Sequence, residues 1–171
     1  MGLPARFSFR ARFGVLAVAC LAAGLLALAA SGALAANKPP PDLWATINIC
    51  NTKNHPNALG IRARMPGNGT KQRMYMRFFA QYRSGKHWHD TAQSPWRFAG
   101  SAVYKWAETG WTFQFKKPGR GDQIVLRGVV NFRWKQDGKV VRQARAVTSA
   151  HHPTTEADPP GYSAGICRIK G

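Results

Sequence analysis

Residues 123–138 read Gln-Ile-Val-Leu-Arg-Gly-Val-Val-Asn-Phe-Arg-Trp-Lys-Gln-Asp-Gly. On an extended chain Ile124, Leu126, Val130, Phe132 and Trp134 fall on one side, and Arg127, Asn131, Arg133 and Lys135 on the other. Period-two alternation of this length marks a strand with one buried face. Asp137-Gly138 is the two-residue signal of a hairpin, so a second strand is expected over Lys139–Ala150.

The same alternation recurs upstream. Leu43–Cys50 reads as a first strand. Leu59, Ile61, Ala63 and Met65 then share a face opposite Arg62 and Arg64, before the turn Pro66-Gly67-Asn68-Gly69. A long run follows, in which Met74, Met76, Phe78, Ala80 and Tyr82 alternate with Arg73, Tyr75, Arg77, Phe79, Gln81 and Arg83. Residues 84–95 read as loop with a short strand around Trp88. Residues 96–106 read as a weaker strand region broken by Gly100. Trp111, Phe113 and Phe115 alternate with Thr112, Gln114 and Lys116, and Pro118–Asp122 turns the chain. A polar loop containing His151-His152-Pro153 and Pro159-Pro160-Gly161 precedes a last strand over Ser163–Ile169. About seven to eight short strands at regular spacing point to an all-β domain, an antiparallel sandwich of immunoglobulin-like type, with a closed barrel as the alternative.

The first residues belong to another kind of segment. Arg6, Arg10 and Arg12 precede an apolar run from Phe13 to Ala30, and Ala33-Leu34-Ala35 supplies a small-residue cleavage site. This is the three-part pattern of a secretory signal. Residues 1–35 are therefore expected as a cleaved signal helix, 36–42 as a Pro-rich leader and 43–171 as the β-domain. The apolar run is also long enough for an uncleaved anchor. Cys20 raises the alternative of lipid attachment, although Ala17-Val18-Ala19 fits a lipid box poorly. There is no twin-arginine pair. Cleavage removes Cys20 and leaves Cys50 and Cys167, an even pair expected to form a disulfide between the first and last strands.

Cleavage leaves 171 less 35, or 136 residues, which suits one domain. It removes three of the 25 basic residues and none of the seven acids, so the formal charge becomes 22 less 7, or +15. Such an excess attracts anionic polymers, and so few acids leave little for general acid–base chemistry. Outward positions concentrate the charge. Arg73, Tyr75, Arg77, Phe79 and Arg83 share one side of the third run, and Arg62 and Arg64 lie outward on the run before it, read as its hairpin partner. These seven are the candidate polyanion-binding residues, with Lys135 read as remote from them.

Other constellations carry less. His87 and His89, with Asp90, His151 or His152 as a third group, have the types of a metal pair, but also fit loop histidines flanking a buried Trp88. Cys50 and His55 have the types of a thiol–imidazole pair, which a disulfide would remove. Asn68-Gly69-Thr70 matches a glycosylation sequon and equally a turn. No Gly-x-Ser-x-Gly elbow is present.

The stretches at 50–57, 60–67, 126–134 and 157–164 together carry a resemblance. They read Cys-Asn-Thr-Lys-Asn-His-Pro-Asn, Gly-Ile-Arg-Ala-Arg-Met-Pro-Gly, Leu-Arg-Gly-Val-Val-Asn-Phe-Arg-Trp and Ala-Asp-Pro-Pro-Gly-Tyr-Ser-Ala. In these the chain resembles small secreted actinobacterial proteins of uncharacterised function with an immunoglobulin-like β-sandwich. The resemblance implies a bacterial exported protein of one domain, and it brings no activity or site residues.

The expected function is a non-enzymatic binding or structural module of the cell envelope or medium. Its partner would be an anionic envelope polymer or an acidic protein surface. No cofactor, metal, specific nucleic-acid role or transmembrane segment after cleavage is expected. The alternatives are a small envelope hydrolase or metal-dependent enzyme, and a module that docks another chain on an edge strand.

Overall fold

In the computed structural model residues 42–171 are described; the expected signal, 1–35, and the expected leader up to 41 lie outside them. Nine strands form: β1 Trp44–Cys50, β2 Ala58–Pro66, β3 Arg73–Ser84, β4 His87–Gln93, β5 Arg97–Ser101, β6 Trp106–Gln114, β7 Gln123–Gln136, β8 Lys139–Val147 and β9 Cys167–Lys170. No helix long and apolar enough to cross a membrane occurs among the described residues.

The strands make two antiparallel sheets. The smaller runs β1-β2-β6. The larger runs β4-β3-β7-β8, with β5 beside β3 and β9 beside β7. The expected all-β sandwich is what forms, with nine strands in place of seven or eight. The weaker strand region read around Gly100 narrows to β5, which pairs separately with the start of β3 through a bulge at Met74/Tyr75.

The alternating faces meet between the sheets. Trp134, Phe132, Phe78, Met74 and Met76 of the larger sheet and Ile47, Leu59, Ile61 and Met65 of the smaller are all buried in one core. Burying side chains of this size contributes about 1.5–3 kcal/mol each. Trp134 also donates its indole N–H to the carbonyl of Pro66 at 3.1 Å, tying β7 to the end of β2. Cys50 at the end of β1 is bonded to Cys167 at the start of β9, with Cα atoms 5.5 Å apart, so the disulfide staples one sheet to the other.

One expectation is overturned. The turn at Pro66–Gly69 does not make β2 the hairpin partner of β3. Instead the N–H groups of Gly67, Asn68 and Gly69 bond to the carbonyls of Lys105 and Ala102, and the chain crosses from the smaller sheet to the larger. The turn signal was sound, but a turn does not say which strand comes next in the sheet. Arg62 and Arg64 therefore lie on a different sheet from Arg73, Arg77 and Arg83.

At Gly128 of β7 the backbone lies close against Ile61 of the other sheet. A Cβ there would fall 2.6 Å from both Ile61 Cδ1 and Thr148 Cγ2. Both neighbours belong to buried residues, so Gly128→Val is expected to lower stability by about 1–3 kcal/mol through overpacking. A urea midpoint equal to the parent's would show that the sheets have room to part.

The segment 148–166 runs along the free edge of β1. It bridges through Ile47 with Ala164 and through Ile49 with Asp158. His152 on this segment lies flat on Trp44, with ring centroids 4.8 Å apart. Burial first, then His151 and Arg64, lower its pKa below the ordinary value of 6.5. The unfolded chain thus binds this proton before the folded one does. The contribution is present above pH 6.5 and is lost as pH falls through the lowered folded value. Urea midpoints at successive pH values should drop in that window, and His152→Phe should flatten the drop. Parallel curves for parent and variant would contradict this.

Candidate functional site

The outer face of the larger sheet is built from the odd positions of β3 and β7. Their register sets Arg73 opposite Lys135, Tyr75 opposite Arg133, Arg77 opposite Asn131 and Gln81 opposite Arg127. The next strand adds Gln143 beside Arg133 and Arg145 beside Asn131. Cations thus stand in successive rows across neighbouring strands, and the pair Arg73–Lys135 brings like charges directly opposite. Such pairs destabilise a sheet.

Aromatic rings separate these cations. The Arg127 guanidinium lies 4.4 Å from the Trp88 ring centroid and that of Arg133 4.2 Å from Trp96. Arg73 sits over Phe98 at 4.8 Å, Lys135 over Tyr75 at 5.2 Å and Arg77 over Phe79 at 5.6 Å. Each such contact is worth roughly 0.5–1 kcal/mol at an exposed site. Its larger effect is to hold a long side chain in one rotamer. Nε groups help: Arg77 donates to the Ser94 carbonyl at 3.0 Å, Arg127 to Gln81 Oε1 at 2.8 Å and Arg83 to the Gly85 carbonyl at 3.0 Å. At Arg77 and Arg127, where Nε and one ring face are both committed, the terminal nitrogens are left for carboxylate, sulfate or phosphate oxygens.

Almost no acid balances this face. Glu108 pairs with Arg64, Glu156 with Arg62, and Asp158 faces Thr52 and His55. Asp122 and Asp137 lie in turns and Asp42 at the start of the domain. Only Asp90 reaches the face, where it accepts a hydrogen bond from Gln81 at 2.7 Å. No ion pair among the described residues involves Arg73, Arg77, Arg83, Arg127, Arg133, Lys135 or Arg145. The Arg127 pKa is lowered, first by burial and then by the Arg145 guanidinium, which places two cations within each other's field.

The candidate residues therefore divide. Arg73, Tyr75, Arg77, Phe79 and Arg83 share the face, as expected. Arg62 and Arg64 do not: they are ion-paired on the smaller sheet, and Arg64 is also stacked between Trp44 and Trp106. Lys135, read as remote, sits directly across from Arg73. Sequence reasoning missed Trp88, Trp96 and Phe98 as face residues. Alternation places Arg127 and Arg133 outward, but only strand pairing puts them beside β3.

The other constellations separate as well. Cys50 is oxidised, so it offers no thiol to His55. His87 and His89 lie on β4, whereas His151 and His152 lie on the segment along β1, and no group of three metal-binding side chains forms among the described residues. Asn68 accepts from the backbone N–H and hydroxyl of Thr70, a local turn. A cavity of about 520 Å³ opens over the smaller sheet, lined by Arg62, Arg97, Trp111 and Glu156 among others. Its one acid, Glu156, is held by Arg62.

Comparison with protein-family models and with curated proteins gives no match for this chain.

Proposed function

We propose that the protein is an exported, non-enzymatic module that binds anionic polymers of the cell envelope or the surrounding medium on the outer face of its larger sheet. The observation that carries this reading is the set of arginines without an ion-pair partner on one sheet face, of which Arg73, Arg77, Arg83, Arg127 and Arg133 are each held by a ring or an Nε bond. Keeping like charges opposed on one sheet costs stability, and a bound polyanion removes that cost. The rings at Trp88 and Trp96 lie against guanidinium groups, so recognition runs through the guanidinium nitrogens rather than through stacking on free ring faces.

Export rests on the signal pattern of residues 1–35, and a disulfide spanning the domain accords with an oxidising compartment. The cavity on the smaller sheet lacks histidine and holds no free acid, which favours binding over hydrolysis. The test is direct binding of the secreted domain to immobilised heparin and to polyphosphate at low and high salt. Retention at low salt and release at high salt is the expected result; no retention at low salt would overturn the reading.

A further inference from the structure

At one end of the sandwich β2, β5 and β7 finish and β3, β6 and β8 begin. Nine large hydrophobic side chains are exposed among the described residues, and six lie in the strand ends and turns at this end: Phe98, Val103, Tyr104, Trp106, Val140 and Val141. Tyr104 is 70% exposed and Val103 53%. Scattered apolar side chains are ordinary on a surface, but a cluster marks an interaction site.

The loop that displays Val103 and Tyr104 is rigidly held. Ala102 beneath it is buried, its carbonyl accepts from Asn68 and Gly69, and its N–H donates to Gln72. Gly67 donates to the Lys105 carbonyl at 2.9 Å, and a Cβ on Gly67 would strike the Tyr104 carbonyl. Presenting apolar groups on a fixed loop removes the ordering cost of binding.

Charge surrounds this apolar tip. One register row runs Ser101–Arg73–Lys135–Val140 across β5, β3, β7 and β8. Three strand spacings, roughly 14 Å, thus separate the loop from Val140, with two cations between them. Lys71, Lys105 and Lys139 are exposed around the row, against Asp137 in the adjoining turn. Apolar tips flanked by cations match the two layers of an anionic membrane surface, the acyl boundary and the headgroups.

We propose that this end of the domain docks on an anionic lipid bilayer, inserting Val103 and Tyr104 while the surrounding lysines and Arg73 meet lipid phosphates. This site adjoins the polyanion face and shares Arg73 and Lys135 with it, but its inserted residues, Val103 and Tyr104, lie outside that face, so the two readings are tested apart. The experiment is flotation of the domain with vesicles of phosphatidylglycerol and phosphatidylcholine, alongside vesicles of phosphatidylcholine alone. The parent should float with the anionic vesicles and stay behind with the neutral ones. Val103→Ser with Tyr104→Ser touches only exposed side chains, so the melting temperature should stay at the parent's value. That variant should lose about tenfold in partitioning and bind heparin as the parent does. If heparin binding fails in the parent while flotation and its loss in the variant persist, only the polyanion reading falls. The docking proposal is overturned if the parent does not float or if the variant floats equally well. It is also overturned if sedimentation shows a parent dimer that the variant dissolves, which would assign the patch to a second copy.

Discussion

Arg127→Glu combined with Arg133→Glu is expected to weaken binding to heparin or polyphosphate by about a hundredfold at low salt, with the fold intact. Both side chains point away from the core, and each ends a stack on an indole, Trp88 and Trp96. The variant removes two anion contacts and places two carboxylates among Arg77, Arg145 and Lys135, so attraction becomes local repulsion. The control is Lys53→Glu with Lys117→Glu. Both of these lysines are exposed in loops outside the face, and the pair makes the same change in net charge. If binding followed overall charge alone, the two double variants would weaken it equally. The control is expected to lose only a few-fold. Equal losses would remove the face from the explanation.

The second large effect concerns the disulfide. Cys50 and Cys167 are 117 residues apart, so the bond closes a loop spanning nearly all of the described domain. Chain-entropy models put such a closure at about 4–5 kcal/mol. Cys50→Ala with Cys167→Ala is therefore expected to lower the melting temperature by roughly 10–20 °C for a domain of this size. The bond joins the end of β1 in the smaller sheet to the four-residue β9 in the larger. Without it, β9 is held to β7 by a short register from Gln123–Lys170 to Leu126–Cys167. The terminal strand should then exchange amide hydrogens faster than β3 and β7. A fall of only two or three degrees, with β9 still protected, would mean that packing alone closes the domain.

Much of the fold was legible because burial imposes alternation. The even positions of 124–134 read as core, and Leu126, Phe132 and Trp134 are buried with no exposed surface. The cysteine pair was legible from parity once Cys20 was assigned to the signal. Sheet membership was not. Alternation says which side chains of a strand share a face, but not which strand lies alongside it. Hence Arg62 and Arg64 were grouped with the basic face although β2 pairs with β1 and β6. For the same reason Lys135 was set apart although it faces Arg73.

β6 starts at Trp106, ahead of the alternating run that begins at Trp111, and carries Gly110 in its middle. In the fold a Cβ at that position would come 2.8 Å from the Ile61 carbonyl and 3.2 Å from Arg62 Cδ. The glycine makes room beneath the Arg62 side chain instead of ending the strand. The aromatic half of the face was hidden for a different reason. Trp88 sits in a short edge strand, and Trp96 and Phe98 lie in a weakly patterned stretch where Pro95 and Gly100 interrupt the period. Their roles come from packing across strands, Trp96 against Arg133 and Phe98 against Tyr75 and Arg73.

The most direct test of the polyanion face is the slope of log affinity against log salt for the β-domain binding polyphosphate. Counterion release gives roughly 0.7–0.9 units of slope for each anion contact. Engagement of Arg73, Arg77, Arg127, Arg133 and Arg145 together predicts a slope of about −3.5 to −4.5. The Arg127→Glu, Arg133→Glu variant should lose at least about 1.4 units of that steepness. A slope near zero in the parent, or an unchanged slope in the variant, would contradict the account.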